Sequence, residues 1–293
     1  MKKNNFRLAV VLVLLSALVV LPFMQADAQD DAAEISAANA PAIPATVFQA
    51  AGPTAVSIQS AVDQYRVALG VQNNGNNPGP LLPGRREINW DGGSTTNLTT
   101  AVAGNPFSGF LITRGALFTT PDGTGFVQAP ASADPILFPP GGLAGLFNNP
   151  AYSTIFKTFS ASRLFTAVGG KVTEVDFFVP GGGNVPATVT GFGAVFTDVD
   201  QPDGSGPARK RGNRNASTLI EYYGVNGELL FSSYVPASPG DGNLSFFGIV
   251  LHDALIAHVR ITSGNVVPGG NDTEKDDVVA MDDFIYGEPQ RVQ

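Results

Sequence analysis

The sequence predicts an all-β protein: an antiparallel two-sheet β-sandwich of the jelly-roll type, with one short helix near its N-terminus. Glycine and proline are frequent, at 34 and 22 residues, whereas only 14% of the chain is charged. Many short apolar segments alternate with turn residues, a pattern typical of strands joined by turns. Cysteine is absent, so the core alone must hold the fold, and a thiol nucleophile or thiolate zinc site is excluded.

Residues 1–28 are predicted to be a secretory signal peptide. A basic start precedes the apolar run Leu8–Leu21, and Ala26 and Ala28 are the small residues that a signal peptidase reads. The alternative, a membrane anchor, is less favoured because a span needs about 20 apolar residues. We therefore expect a secreted, cell-surface or periplasmic protein with no membrane span after cleavage.

The net charge of −8 indicates which partners to expect. An acidic chain disfavours nucleic acid or an anionic membrane surface as the main partner. The basic cluster in residues 209–214 has no interleaved aromatic residues, so we interpret it as a solvated loop rather than a nucleic-acid contact. Nothing in the pattern predicts the oligomeric state.

The chain before the sandwich is predicted to have two parts. Residues 29–52 are rich in alanine and lack periodicity, which indicates a flexible leader. Residues 53–84 are predicted to form a short helix, Thr54–Leu69, followed by a linker, with the helix packed over one end of the sandwich. The apolar residues of that helix recur every three or four positions: Ile58, Val62, Tyr65 and Leu69.

The sandwich itself is predicted to span residues 85–289, before a tail at 290–293. The strongest hairpin signal is Asn226-Gly227, because this pair between β-rich runs favours a tight turn. A second hairpin is predicted across Gly169-Gly170. The strands expected in this region are 87–92, Phe110–Arg114, Ala116–Thr119, Gly125–Gln128, Ser162–Val168, Val172–Val179, Thr188–Thr197, Ser217–Tyr223, Glu228–Val235, Leu244–Leu251, Leu255–Thr262 and Asp276–Glu288.

The last strand, Asp276–Glu288, carries the most informative chemistry. Both of its faces are apolar, which predicts a central strand covered on both sides. Strict alternation places Asp282 on one face and Asp283 on the other. A buried carboxylate is costly unless it is hydrogen-bonded, paired or bound to a metal.

These carboxylates suggest a calcium site, and Ca²⁺ is the only cofactor that the sequence predicts. Asp198 and Asp200 follow a predicted strand, in a loop that does not match an EF-hand. We expect them to meet Asp282 or Asp283 around one Ca²⁺, because hard oxygen ligands suit this ion. The alternative is that the acids accept backbone hydrogen bonds, or pair with the basic residues Lys157, Arg163 or Arg260.

No catalytic residue is predicted. His252 and His258 are expected at a turn and on an outward strand face, and the sequence has no nucleophile elbow, His-Glu-x-x-His motif or phosphate loop. A glycoside hydrolase needs two carboxylates across a cleft. Asp198 and Asp283 keep this class open as an alternative.

Three aromatic residues are candidates for binding an extracellular glycan: Trp90, Tyr222 and Tyr234. Each also suits core packing. The favoured function is therefore a non-catalytic binding or surface-associated module, stabilised by Ca²⁺ and directed at a glycan or another surface component. A structural or matrix protein without a ligand site is the first alternative.

Four segments resemble a group of exported bacterial β-sandwich proteins of unknown function, whose relatives often end in a PEP-CTERM sorting tail that this sequence does not show. These segments are 84–92, 191–200, 244–249 and 277–289. The pattern Ala280–Phe284 is also similar to the closing strand of jelly-roll modules such as MAM and some carbohydrate-binding domains. The resemblance implies a fold, and no catalytic residues can be transferred from it.

Overall fold

Two antiparallel sheets face each other across an aromatic core, which confirms the predicted all-β, two-sheet class. The structure is a computed structural model that describes residues 43–92, 100–131, 141–200, 218–253, 255–270 and 276–292. The predicted signal peptide, the leader up to residue 42 and the basic cluster at 209–214 lie outside the described residues.

The larger sheet has eight strands among the residues that the structure describes. Along its main path they are, in spatial order, β1 (Ala45–Gly52), β12 (Leu244–Leu251), β9 (Gly191–Thr197), β14 (Ala280–Gly287), β6 (Leu164–Val168), β5 (Gly125–Ala129) and β3 (Ala101–Gly104). The eighth strand, β2 (Arg85–Ile88), pairs with the second half of β14. The last predicted strand is therefore central, as expected, because other strands pair with both of its edges.

The smaller sheet has five strands. They are, in spatial order, β11 (Leu229–Tyr234), β10 (Leu219–Tyr223), β13 (His258–Thr262), β7 (Val172–Phe177) and β4 (Ala116–Thr119). A separate pair joins β8 (Ala187–Thr188) to β15 (Gln290–Arg291), so part of the predicted tail is paired. The core between the sheets is rich in aromatic rings, with Trp90 stacked on Phe165 at a centroid distance of 3.8 Å.

The predicted helix is confirmed as α1 (Ala55–Leu69). Thr54 caps its N-terminus by accepting a hydrogen bond from the Ser57 amide, a common way to satisfy a free donor there. The helix does not cover an end of the sandwich: it packs on the outer face of the larger sheet. Its four predicted apolar residues are all buried: Ile58, Val62, Tyr65 and Leu69.

This helix can lie close to the sheet because the strands beneath it carry glycine. A Cβ atom on Gly193 would lie 2.9 Å from the Tyr65 ring and 2.8 Å from the Cα atom of Gly248. Three further helices in the described ranges are short: α2 (Leu111–Arg114), α3 (Gly142–Leu146) and α4 (Tyr152–Ile155). Helix α2 replaces the strand predicted at Phe110–Arg114.

The predicted flexible leader is wrong for its last eight residues. Ala45–Gly52 forms β1, which pairs with β12 in an unbroken register from Ala45 opposite Leu251 to Gly52 opposite Leu244. The segment has no charged residue, and Phe48 packs 5.4 Å from the Tyr65 ring of α1. The larger sheet therefore begins well before the predicted boundary at residue 85.

The two predicted hairpins have different outcomes. The Asn226-Gly227 turn joins β10 to β11 as expected, with Gly227 at φ 78°. The hairpin predicted across Gly169-Gly170 is wrong, because the strands it joins, β6 and β7, lie in different sheets. Those two glycines instead carry the chain from one sheet to the other.

Candidate functional site

Asp282 and Asp283 lie at a β-bulge in β14. Met281 is opposite Phe196 of β9 and Phe284 is opposite Ala194, so two residues of β14 face the single Val195. The extra residue reverses the alternation: Met281 and Phe284 both join the core between the sheets. The prediction of one carboxylate on each face is therefore wrong, because both contact groups on the outer face.

The Asp282 side chain is fully buried and accepts hydrogen bonds from the chain that follows α4. Its Oδ2 atom accepts the backbone N–H groups of Phe159, at 2.6 Å, and Ser160, at 3.2 Å. The Ser160 hydroxyl lies 3.3 Å from Oδ1. Burial, and then the neighbouring Asp283, raise the pKa of Asp282 well above its usual value.

Asp283 contacts the same serine and α1. Its Oδ1 atom is 2.6 Å from the Ser160 hydroxyl, and its Oδ2 atom is 3.4 Å from Nη2 of Arg66. Both carboxyl groups contact the Ser160 hydroxyl, and we call them the carboxyl pair. Burial raises the pKa of Asp283. The pair thus follows the alternative of hydrogen bonding and ion pairing, with Arg66 as the cation rather than Lys157, Arg163 or Arg260.

A second group of acids, the acidic cluster, comprises Asp198, Asp200, Asp241 and Asp277. Asp198 directly follows β9, at φ 69°, and its backbone N–H donates to the Asn243 carbonyl at 3.0 Å. Asp277 accepts the Asp200 N–H at 2.9 Å, and Asp200 accepts the Gly240 N–H at 2.8 Å. These contacts connect the end of β9 to the starts of β12 and β14.

Asp198 is the unusual member of this cluster. It is 6% exposed, and its Oδ1 atom is buried with no hydrogen-bond partner in the part of the chain that the structure describes. Burial, followed by the charges of Asp200, Asp277 and Asp241, raises the pKa of Asp198 to about 8. Among the described residues, no three acidic or histidine side chains converge on a metal position as they stand.

The structure therefore separates the four acids that the sequence predicted to share one metal. Asp198 and Asp200 lie in the acidic cluster, whereas Asp282 and Asp283 form the carboxyl pair under α1. Asp277 lies inside the last predicted strand, Asp276–Glu288, whereas sequence reasoning missed Asp241. The Gly240-Asp241-Gly242 turn, just before a strong strand, was the available signal.

Two of the three predicted glycan-binding aromatics are in the core, which makes their prediction wrong. Trp90 is fully buried, and its indole N–H donates to the Asp282 backbone carbonyl at 2.8 Å. Tyr222 is fully buried, and its hydroxyl donates to the Phe192 carbonyl at 3.3 Å. Tyr234 is half-buried on β11, at the edge of the smaller sheet, and its binding role stays a prediction.

Two surface grooves are found elsewhere on the molecule. One, of about 740 Å³, runs along the solvent side of α1 beside Phe48, and the other, of about 460 Å³, includes Asp176 and Arg291. Neither groove is lined by Asp198 or Asp283, the acids that the hydrolase alternative requires.

Within the described ranges, no helix has the length and apolarity needed to cross a bilayer. No protein-family model, curated protein or solved structure matches the chain. The resemblance to exported bacterial proteins therefore stays a prediction.

Proposed function

We propose that the protein is an exported, non-catalytic β-sandwich module that binds Ca²⁺ at its acidic cluster. The observation that carries this proposal is the buried Oδ1 atom of Asp198, which has no hydrogen-bond donor among the described residues and lies among three other carboxylates. A buried acceptor without a partner costs about 1–3 kcal/mol. A bound cation would supply the missing partner and would offset the repulsion among the acids.

The chemistry of the donor set favours Ca²⁺ over other ions. Carboxylates are hard oxygen ligands, and Ca²⁺ accepts roughly six to eight oxygens in irregular geometry, including carbonyls and water. Mg²⁺ requires near-ideal octahedral geometry. Because the side chains do not converge as they stand, binding would require rotation of Asp200 and the exposed Asp241 towards Asp198.

The position of the cluster suggests a stabilising role for the ion. Asp198 follows β9, Asp241 precedes β12 and Asp277 precedes β14, and these strands are neighbours in the larger sheet. Thr197 of β9 lies opposite Leu244 on one side and Ala280 on the other. A cation here would link three connections at one end of the sheet.

The environment of the carboxyl pair supports a non-catalytic reading. A hydrolytic carboxyl pair must reach a bond of the substrate. Asp282 is 0% exposed and Asp283 is 3% exposed, and their oxygens contact Phe159, Ser160 and Arg66. The structural or matrix alternative differs from this proposal only in having no ligand at Asp198.

The test is calcium binding by the chain from residue 29 onward, after treatment with a chelator. We expect isothermal titration calorimetry to detect one Ca²⁺ site and the melting temperature to rise with CaCl₂. Ligand at 100 times its Kd stabilises a fold by about 2.7 kcal/mol. Asp198→Asn should abolish both effects, whereas Asp63→Asn, on the exposed side of α1, should leave them intact.

Absence of binding heat and of a melting shift in the unsubstituted chain would overturn the proposal. Asp198 would then be a buried protonated acid, and the structural alternative would hold. Equal responses to MgCl₂ and CaCl₂ would contradict the choice of ion.

A further inference from the structure

We propose that Asp282 and Asp283 share a single proton and form a latch, which holds α1 and the segment 156–163 on the larger sheet only while that proton is retained. The inference is independent of calcium binding, because it concerns a different set of acids. Ambient pH would then control whether α1 and the segment 156–163 stay docked on the larger sheet.

The hydrogen-bond inventory locates the proton. Oδ2 of Asp282 already accepts two backbone N–H groups, and the two oxygens of Asp283 accept from Ser160 and Arg66. The Ser160 hydroxyl has one hydrogen to donate. Its oxygen is 2.6 Å from Asp283 and 3.3 Å from Asp282, so we assign this hydrogen to the shorter contact, with Asp283. The remaining contact, 3.3 Å between Oδ1 of Asp282 and the Ser160 hydroxyl oxygen, can then be a hydrogen bond only if Oδ1 carries a proton, and we place the proton there.

The charges around the pair show why this proton is retained. The only guanidinium in contact with the pair, among the described residues, is that of Arg66, which also binds Glu87 at 2.9 Å and Asp63 at 3.2 Å. Glu87 of β2 is additionally paired with Arg85. One cation is thus shared among several carboxylates, so a second negative charge on the pair is poorly compensated.

The segment after α4 brings a further acid close to the pair. Asp91 accepts the backbone N–H groups of Ser162 and Arg163 at its Oδ1 atom, and its negative charge acts on Asp282. The Arg163 side chain reaches the Gly92 carbonyl at 3.4 Å rather than the pair. The segment 156–163 therefore supplies backbone donors to the pair but no direct cation.

Loss of the proton would affect two contacts at once. Asp282 would become an anion beside the anion of Asp283, and the hydrogen bond between Oδ1 of Asp282 and the Ser160 hydroxyl would be lost. Asp283 links to α1 through Arg66, and Asp282 links to the segment through Phe159 and Ser160. We therefore expect the helix and the segment to loosen together.

The sign of the pH effect follows from linkage. Burial raises the pKa of both carboxyls above the unfolded value. The stabilisation is therefore complete below the unfolded pKa, near about 4, and is lost as pH rises through the folded pKa values. The latch is closed in acid and opens on the alkaline side.

The first experiment measures urea unfolding from pH 5 to pH 10, in EDTA, for the unsubstituted chain and for Asp282→Asn. The asparagine amide can donate to the Ser160 hydroxyl oxygen at every pH, and its carbonyl can still accept the two backbone N–H groups. We expect the unfolding constant of the unsubstituted chain to rise with pH. Per pH unit, this rise should exceed that of the variant by a factor of up to about ten, which is the factor for the loss of one proton. Asp198 titrates in both proteins and cancels in the comparison.

A second measurement does not depend on a variant that folds. The ¹³C carboxyl resonances of Asp282 and Asp283 at pH 7 should show one protonated and one ionised group, with no titration of the pair near pH 4. Two ionised carboxyls at pH 7 would overturn the proposal, and so would equal pH slopes for the unsubstituted chain and Asp282→Asn.

Discussion

At the scale of single residues, Arg86 connects several distant segments of the fold. It is fully buried and makes two hydrogen bonds of 2.6 Å to Glu288, whose side chain is 2% exposed. Its Nη1 atom also donates to three backbone carbonyls, those of Gly75, Asn77 and Thr113. The pair thus fixes the linker before β2 and the end of β14 to one point.

Replacing Arg86 with methionine should lower the free energy of unfolding by about 3–5 kcal/mol, because it leaves a buried carboxylate without its cation. A matched control is Arg260→Met, since Arg260 pairs with Glu174 at 3.2 Å but is 40% exposed. That change should cost about 0–1 kcal/mol. Urea unfolding followed by Trp90 fluorescence measures both, and equal losses would contradict the argument.

Residue-level prediction from sequence failed where the backbone departs from regular geometry. Period-two alternation correctly placed Asp282 and Asp283 on a central strand, but a bulge moved both to the same face. No glycine or proline lies in the Asp282-Asp283 step, so nothing local marks it. The buried indole of Trp90 donates to the Asp282 carbonyl, and that contact only exists once the chain has folded.

At the scale of secondary structure, β1 shows the limit of local signals. Helix α1 was predictable because its apolar periodicity lies within 15 residues. Strand β1 reads as Ala-Thr-Val-Phe-Gln-Ala-Ala-Gly, a weak β pattern. Its pairing partner, β12, lies about 200 residues further along the chain, so the hydrogen bonds that define it cannot be read from the segment itself.

Truncation tests the contribution of β1. A chain that starts at Pro53 should be less stable than one that starts at Ile43, by at least about 2 kcal/mol, because it loses the pairing with β12 and the contact of Phe48 with Tyr65. In a domain of this size that corresponds to a drop in melting temperature of roughly 4–8 °C. Differential scanning calorimetry measures it, and identical melting of the two chains would show that the segment behaves as the flexible leader first predicted.

At the scale of the whole molecule, the acids set an unusual dependence of stability on pH. Many proteins lose stability in acid because carboxylates that are paired in the native state must take up protons. Here the carboxyl pair and Asp198 all have pKa values raised by burial. Each therefore contributes stability in acid that is lost as pH rises, in a chain whose net charge is already −8.

Asp198 gives the most direct test of this dependence. Its folded pKa, about 8, lies above the ordinary value of 3.8, so its contribution is fully present below about pH 4 and is lost as pH rises through about 8. In EDTA, the unsubstituted chain should therefore lose stability relative to Asp198→Asn as the pH rises from 5 to 9. Saturating Ca²⁺ should reverse that shift, because a cation favours the ionised carboxylate and the asparagine variant cannot supply one. Urea unfolding at pH 5, 7 and 9, with and without CaCl₂, measures both effects, and a difference that is constant across pH would show that Asp198 is ionised in the native state without any cation.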